Sequence, residues 1–342
     1  MEKRISPWAW VSTLYFLQGI PYVIVNNISV VMFTKMGVPN GEMAFFTSLL
    51  YLPWMIKPFW SPFVDIFKTK RWWTVTMQLL MAAAFILLTV TLPVPEAETI
   101  AAGTTPMSMF YITLMLFVVT AFASATHDIA ADGFYMLDLD SNKQAEFVGI
   151  RSTFYRMSSI FGQGVLVALA GVIDRYTSDV HVAWQLTLLL AAVIFAGVTL
   201  YHTWHLPKPT EDRMWSARSV KDIFKEFGRT FETFFMKKHI LVALAFMLMY
   251  RLPEAFLVKM LNPFLLNPVT DGGLGMSKEA VGLIYGTIGI AALTIGGIVG
   301  GIAASKWGLK KSLWPMAMSL ALPCLSFVFL AMFQPENPWI VG

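Results

Sequence analysis

Charge is what this sequence has least of. Only 13% of its 342 residues are Asp, Glu, Lys or Arg, about half the share found in soluble domains. Too little polar surface remains to cover a soluble core of this size. Cysteine is nearly absent as well. Cys324 is the single copy and lies in an apolar run, which excludes an internal disulfide framework and a thiolate zinc site. Nor is there an excess of one charge sign of the kind nucleic acid demands. The net charge is +4 and the basic residues fall between apolar runs, so no nucleic-acid partner is expected. No G-x-x-x-x-G-K-[ST] stretch offers a nucleotide site, and no serine elbow suggests a hydrolase. His127 stands beside one Asp, while His181, His202, His205 and His239 lie in loops or at run ends. None gathers a ligand set for a metal. The expectation is no cofactor, no metal and no enzyme.

Long hydrophobic runs are what the sequence has in excess. Hydrophobic residues make up 56% of the chain, with mean hydropathy +0.62. A helix needs about 20 mostly apolar residues to cross a bilayer. Such runs occur at 8–33, 43–64, 73–93, 107–136, 148–173, 183–202, 239–266, 280–304 and 312–333, and another begins at Trp339. They are continuous rather than alternating, which favours helices over a barrel. The first run contains Gln18 and Pro21 and lacks a small-residue cleavage site, so it is not read as a signal peptide. The fold class is therefore an all-α, multi-span membrane protein.

The basic residues orient it. With the N-terminus inside, 18 of the 25 Lys and Arg fall in inner segments. Only Lys35, Arg175 and Lys278 fall outside. The positive-inside rule then sets a cytoplasmic N-terminus in the inner membrane. The longest polar connection, 203–238, carries Phe224, Phe227, Phe231, Phe234 and Phe235 opposite Lys221, Lys225 and Arg229. That pattern suits an amphipathic helix lying on the inner leaflet, or equally one packed on the bundle.

The chain also repeats itself. Asp65-Ile66-Phe67-Lys68-Thr69-Lys70-Arg71 ends the second run, and Ser305-Lys306-Trp307-Gly308-Leu309-Lys310-Lys311 ends the eighth. Gly19-Ile20-Pro21-Tyr22 in the first run matches Arg251-Leu252-Pro253-Glu254 in the seventh. Six spans, a linker and the same order again form a parallel repeat, a transporter architecture. The domains expected are a six-helix bundle at 1–202, a cytoplasmic linker at 203–238 and a second bundle at 239–342.

These residues resemble the major facilitator superfamily, whose loop after the second span carries an acid followed by a basic pair. Three stretches resemble one branch more closely: Met55 to Asp65 with Lys57-Pro58 and Trp60-Ser61-Pro62, Ala125-Thr126-His127-Asp128 through Asp132-Gly133, and Arg151-Ser152-Thr153-Phe154-Tyr155-Arg156. They are similar to AmpG-type permeases, which import anhydro-muropeptides, and to the related acetyl-CoA transporters. The resemblance implies two bundles rocking about a central cavity and a small-molecule substrate imported with protons. It also implies twelve spans, which leaves the second half-bundle here short by roughly three spans of about 20 residues. A monomer in the lipid bilayer is expected.

Charged residues inside spans are costly and are functional candidates by default. Asp128 and Asp132, four residues apart, share a helix face with Ser124 one turn earlier. Two carboxylates that close in a low dielectric do not both ionise cheaply, so the pair suits proton uptake and release. Asp128 is the candidate coupling or substrate-contacting acid and Asp132 its partner. The alternative is a structural pair with Arg156 or Arg151. Lys57, before the helix-breaking Pro58, is expected to pair with an acid such as Asp65 or to bind an anionic substrate. Arg156 either contacts a substrate acid or pairs with Asp128. Gln18, Tyr22 and Asn26 recur every four residues, and such a polar stripe must face protein or water. With Ser124, His127, Arg251 and Glu254 they are the candidate cavity lining. Asp65, Lys70, Arg71, Lys310 and Lys311 are the candidate cytoplasmic gate.

The reading is a secondary transporter of a muropeptide or related amino-sugar compound. A carrier of another solute, such as acetyl-CoA or an oligosaccharide, and a non-transporting membrane sensor or transferase are the alternatives.

Overall fold

The computed structural model describes residues 5–38, 40–93, 107–209, 212, 220–266, 268–276 and 289–334. Among them every regular element is helical. The first run begins at Pro7, whose missing N–H costs nothing at a helix start. It continues as α1 (Pro7–Val23), a widened π-type turn (Ile24–Ile28) and α2 (Ser29–Lys35). Pro21 lies inside α1, so the wide turn follows a point where the backbone ladder is already interrupted.

The run at 43–64 is not one helix, which corrects the expectation of a single continuous span. It divides into α3 (Asn40–Leu49), α4 (Leu52–Ile56), a 3-10 turn (Lys57–Phe59) and α5 (Ser61–Ile66). The cause is Pro53, Pro58 and Pro62. Each sits in the first turn of the piece it opens, because proline tolerates that position and breaks any helix continuing into it.

The helices α6 (Lys70–Thr91) and α7 (Met107–Asp138) follow. Next come α8 (Ser141–Ile160), a second π-type turn (Phe161–Leu166) and α9 (Val167–Thr177). Ser178, in the left-handed region at φ 52°, stops α9, and the Asp179 carboxylate caps the start of α10 (Val180–His205). The remaining helices are α11 (Val220–Phe235), α12 (Ile240–Leu266), α13 (Ile290–Trp307) and α14 (Leu309–Phe333). Gly308, at φ +80°, makes the turn between α13 and α14.

Among the described residues six helical stretches are long and apolar enough to cross a membrane: Pro7–Lys35, Lys70–Thr91, Met109–Asp138, Ser141–Thr177, Val180–His205 and Lys310–Phe333. Nine spans are expected from sequence. The difference comes from three places: the proline-broken second run; 239–266, where several side chains of α12 lie outside the described residues and Ile240–Met249 counts as a shorter apolar helix; and 280–304, whose first residues lie outside them, as does the start at Trp339.

The chain forms two compact units. One comprises Met1–Asp140 with Ile150–Phe227, and its core is aromatic. Phe33 meets Phe110 and Phe117 edge-on with ring centroids 4.9 and 5.8 Å apart, and Trp10 meets Phe134 at 5.1 Å. Such offset contacts between quadrupoles add to the packing. Gly19 lets α1 approach the span that carries Ser158, since a Cβ there would lie 1.8 Å from Ser158 Oγ. Small residues at such crossings are how membrane helices gain contact.

The other unit comprises Ser141–Gly149 with Gly228–Gly342. Its buried core among the described residues is small, built on Leu265, Leu274 and Leu330 with Leu261, Phe264, Met276 and Phe327 around them. Gly149 lies against Gly297, and Ser305 Oγ donates to the Asn142 carbonyl at 3.1 Å.

Candidate functional site

The site grows from α7, an otherwise apolar helix that carries Asp128 and Asp132 one turn apart. Asp132 Oδ1 accepts from Tyr15 Oη at 2.9 Å and from Arg151 Nη2 at 3.0 Å. The Arg151 guanidinium lies over the Tyr15 ring at 4.5 Å and the Tyr135 ring at 5.0 Å. A planar cation between two aromatic faces and a carboxylate has its rotamers fixed from three sides. Asp132 is clamped.

Asp128 is held differently. Its side chain is 9% exposed, and Lys57 Nζ approaches Oδ2 no closer than 3.7 Å, beyond hydrogen-bond range. Oδ1 has no hydrogen-bond partner among the described residues. Gln18 and Tyr22 on α1, Tyr155 on α8 and Asp132 also face this carboxylate. Lys57 reaches it from the 3-10 turn that Pro58 imposes, with 36% of its side chain exposed. Asp128 therefore has a cation nearby without a fixed bond to it.

Around this pair stand further polar atoms with no partner among the described residues. Gln18 Oε1, Asn26 Oδ1 and Ser124 Oγ are buried in this state. Asn26 Nδ2 donates to the Tyr22 carbonyl at 3.0 Å. The Tyr22 ring packs edge-on against Trp54 at 5.1 Å and Tyr51 at 6.1 Å, and Trp54 Nε1 is a buried donor without an acceptor among the described residues. An unmatched buried polar group costs about 1–3 kcal/mol. Three acceptor-bearing groups and a carboxylate oxygen left open along the first run and α7 suit a ligand rich in hydroxyl and amide donors.

Several expected pairings fall elsewhere. Lys57 pairs with Asp128 and not with Asp65, because the broken second span turns the two residues in different directions. Asp65 pairs instead with Lys70, five residues on. Asp128 does not pair with Arg156, which is half-buried and has no ion pair among the described residues. Arg151 is the arginine that binds, and its acid is Asp132. His127 does not line the region around Asp128. Neighbours on a helix point about 100° apart, and His127 is fully buried against Gln78, 2.9 Å away.

The 65–71 loop is tied within its own unit. Lys70 N and Arg71 N donate to the two Asp212 oxygens at 2.6 and 3.0 Å, and Arg71 grips the Thr203 and Leu206 carbonyls. Asp212 thus caps a helix whose basic first turn opposes the dipole. Lys310 and Lys311 are exposed and make no ion pair among the described residues. Arg251 and Glu254 lie on α12, with side chains outside the described residues.

Tyr15, Gln78 and Asp212 make these contacts without being among the residues expected from sequence. Tyr15 stands three residues before Gln18, so extending the polar stripe one turn back would have found it. Gln78 is the only amide in α6, the same signal used for span one. Asp212 caps from a distant segment and left no local mark.

A multi-span helical protein with charged and amide side chains converging inside one bundle has the build of a membrane transporter. The family model that matches residues 11–342 is that of the Major Facilitator Superfamily, and the chain belongs to this superfamily. It is 25% identical over 326 residues to the putative transporter AmpG 4 of Rickettsia felis, covering 93% of this chain and 72% of that protein. It is 24% identical over 305 residues to the anhydromuropeptide permease of Escherichia coli K12, covering 88% of this chain and 56% of that protein. Putative transporter AmpG 2 of Rickettsia typhi is 26% identical over 225 residues, 66% of this chain and 50% of its own length.

Proposed function

We propose that the chain imports a muropeptide-like solute, an amino sugar bearing a short peptide, across the inner membrane with its N-terminus inside and protons as the driving ion. The relatives' names support the substrate class. The observation that carries the mechanism is the half-partnered Asp128 beside Lys57.

A proton taken up on Asp128 removes the charge that attracts Lys57. The ammonium then turns to an anionic group of the substrate, such as a peptide carboxylate. Gln18, Asn26 and Ser124 accept from the sugar hydroxyls and peptide amides, and Tyr22 and Trp54 give an apolar wall. When the bundles rock and the site meets the other side, loss of the proton restores the Lys57–Asp128 attraction and weakens the hold on the anion. Proton and substrate thereby strengthen each other's binding by the same factor, as linkage requires. In this reading Asp132 with Arg151 holds α7 in place and Arg156 is a second substrate cation. The loops with Asp65, Lys70, Arg71, Lys310 and Lys311 close the cytoplasmic side.

The test is uptake of labelled anhydro-muropeptide by proteoliposomes holding the purified chain. Accumulation above equilibrium with an inward proton gradient, and only equilibration without one, is the expected result. Equal uptake under both conditions would overturn proton coupling, and uptake of neither sugar nor peptide would overturn the substrate class.

A further inference from the structure

Beside the site runs a row of side chains that the transport scheme does not use. His127 Nε2 on α7 lies 2.9 Å from Gln78 Nε2 on α6. Gln78 Oε1 lies 3.1 Å from His202 Nδ1 on α10. His202 Nε2 lies 2.9 Å from Thr13 Oγ1 on α1, which is also 3.2 Å from the Trp10 carbonyl. Gln78, His127 and His202 are each fully buried. One row of polar groups ties four helices of one unit.

Apolar residues would fill the same space. Between membrane helices, however, apolar contact alone discriminates poorly among rotations of a helix about its axis, whereas hydrogen bonds and close packing do. A satisfied buried network fixes one arrangement. We propose that His127 is a positioning residue for Asp128: held through Gln78 by His202 and Thr13, it sets the rotation of α7 so that the next residue meets Lys57. The inference rests on reading Asp128 as the coupling acid.

Hydrogen-bond parity supports positioning over proton conduction. With the Gln78 amide as it stands, its N–H donates to His127 Nε2 and its oxygen accepts from His202 Nδ1–H. The Thr13 hydroxyl then donates to His202 Nε2, and the His127 proton sits on Nδ1, which has no partner among the described residues. A half-turn of the amide reverses every bond. His127 Nε2–H donates to Gln78, Gln78 to His202 Nδ1, His202 Nε2–H to Thr13, and Thr13 to the Trp10 carbonyl. Only an acceptor is then left unmatched, which costs less than a buried N–H without a partner. In either direction both imidazoles are neutral and His127 is pinned. An amide interposed between two imidazoles passes no proton without changing its own bonding, so the row anchors rather than conducts.

The titratable groups facing His127 and its row are Tyr201, His202 and His205 on α10. Those facing Asp128 are Lys57, Tyr22, Tyr155 and Asp132. No group belongs to both sets, so a variant at His127 reaches Asp128 only through geometry.

The experiment measures gradient-driven uptake of labelled anhydro-muropeptide against pH in proteoliposomes holding the full chain. The variants are His127→Leu, His127→Gln and Asp128→Asn. His127→Leu is expected to displace the pH midpoint of uptake by about half a unit or more. It is also expected to lower the maximal rate roughly tenfold, in line with sub-ångström misplacement, while KM stays within about twofold. His127→Gln keeps an amide against Gln78 and is expected to restore the wild-type midpoint. A wild-type midpoint in His127→Leu, with only lower thermal stability, would reduce the row to packing and overturn the inference. Should His127→Leu not insert, Thr13→Val removes the far anchor without changing shape. A displaced midpoint there supports the inference and an unchanged one overturns it. Asp128→Asn separates the two claims. Gradient-driven uptake in that variant sinks the coupling reading, whereas gradient-insensitive Asp128→Asn with an unmoved His127→Leu midpoint sinks only the positioning.

Discussion

Asp128 and Asp132 are the same residue on the same helix, one turn apart, and their surroundings treat them in opposite ways. Asp132 has a hydroxyl and a guanidinium bonded to it, with two tyrosine rings against the cation. Asp128 has a lysine at 3.7 Å and one oxygen with no hydrogen bond among the described residues. A clamped acid resists change, because breaking its pair leaves a second charge uncompensated. A loosely held acid exchanges partners at small cost. Function that needs protons to come and go belongs to the second kind, and a helix that must keep its setting needs the first.

Breaking this contrast at its loosely held end has the largest effect. Asp128→Asn is expected to abolish gradient-driven accumulation, at least about 100-fold, while substrate exchange at equal pH persists, as counterflow of labelled substrate will show. Lys57→Met, which keeps the stem and removes the charge, is expected to raise KM for an anionic muropeptide roughly tenfold. A neutral analogue should be affected far less, as the ratio of the two uptake KM values will show. Arg151→Gln leaves Asp132 without its cation. Because the pair is partly exposed, the loss is about 1–3 kcal/mol, read as a lower unfolding midpoint of the purified protein with gradient coupling intact. Tyr15→Phe removes one bond to the same acid and is expected to cost about 1 kcal/mol. Smallest of all, Asp212→Ala removes a helix cap, about 0.5–1 kcal/mol, visible as faster proteolysis after the 65–71 loop.

What the sequence discloses and what it hides follows from range. The apolar runs, the i, i+4 acids and the span-one stripe are local patterns, and the helices and the candidate region follow from them. Lys57 meets Asp128 rather than an acid such as Asp65 because three prolines redirect the second run, and the sequence shows where a helix breaks but not where the chain then points. Arg151 and Arg156 are five residues apart on one helix, so they face different sides. Composition alone gives no means of choosing between them. His127 and Asp128 are adjacent in sequence and therefore read as one motif, yet adjacency on a helix separates their directions. The contacts of His202 with Gln78 and Thr13 join residues 124 and 189 positions apart, and no periodicity encodes them.

The central claim is that one of the two acids carries the proton. It is tested most directly by recording the internal pH of proteoliposomes when substrate is added outside, with no imposed gradient, for Asp128→Asn and Asp132→Asn side by side. Substrate-driven acidification that vanishes in Asp128→Asn and survives in Asp132→Asn is the expected result. Acidification that survives in Asp128→Asn, or vanishes only in Asp132→Asn, would contradict it.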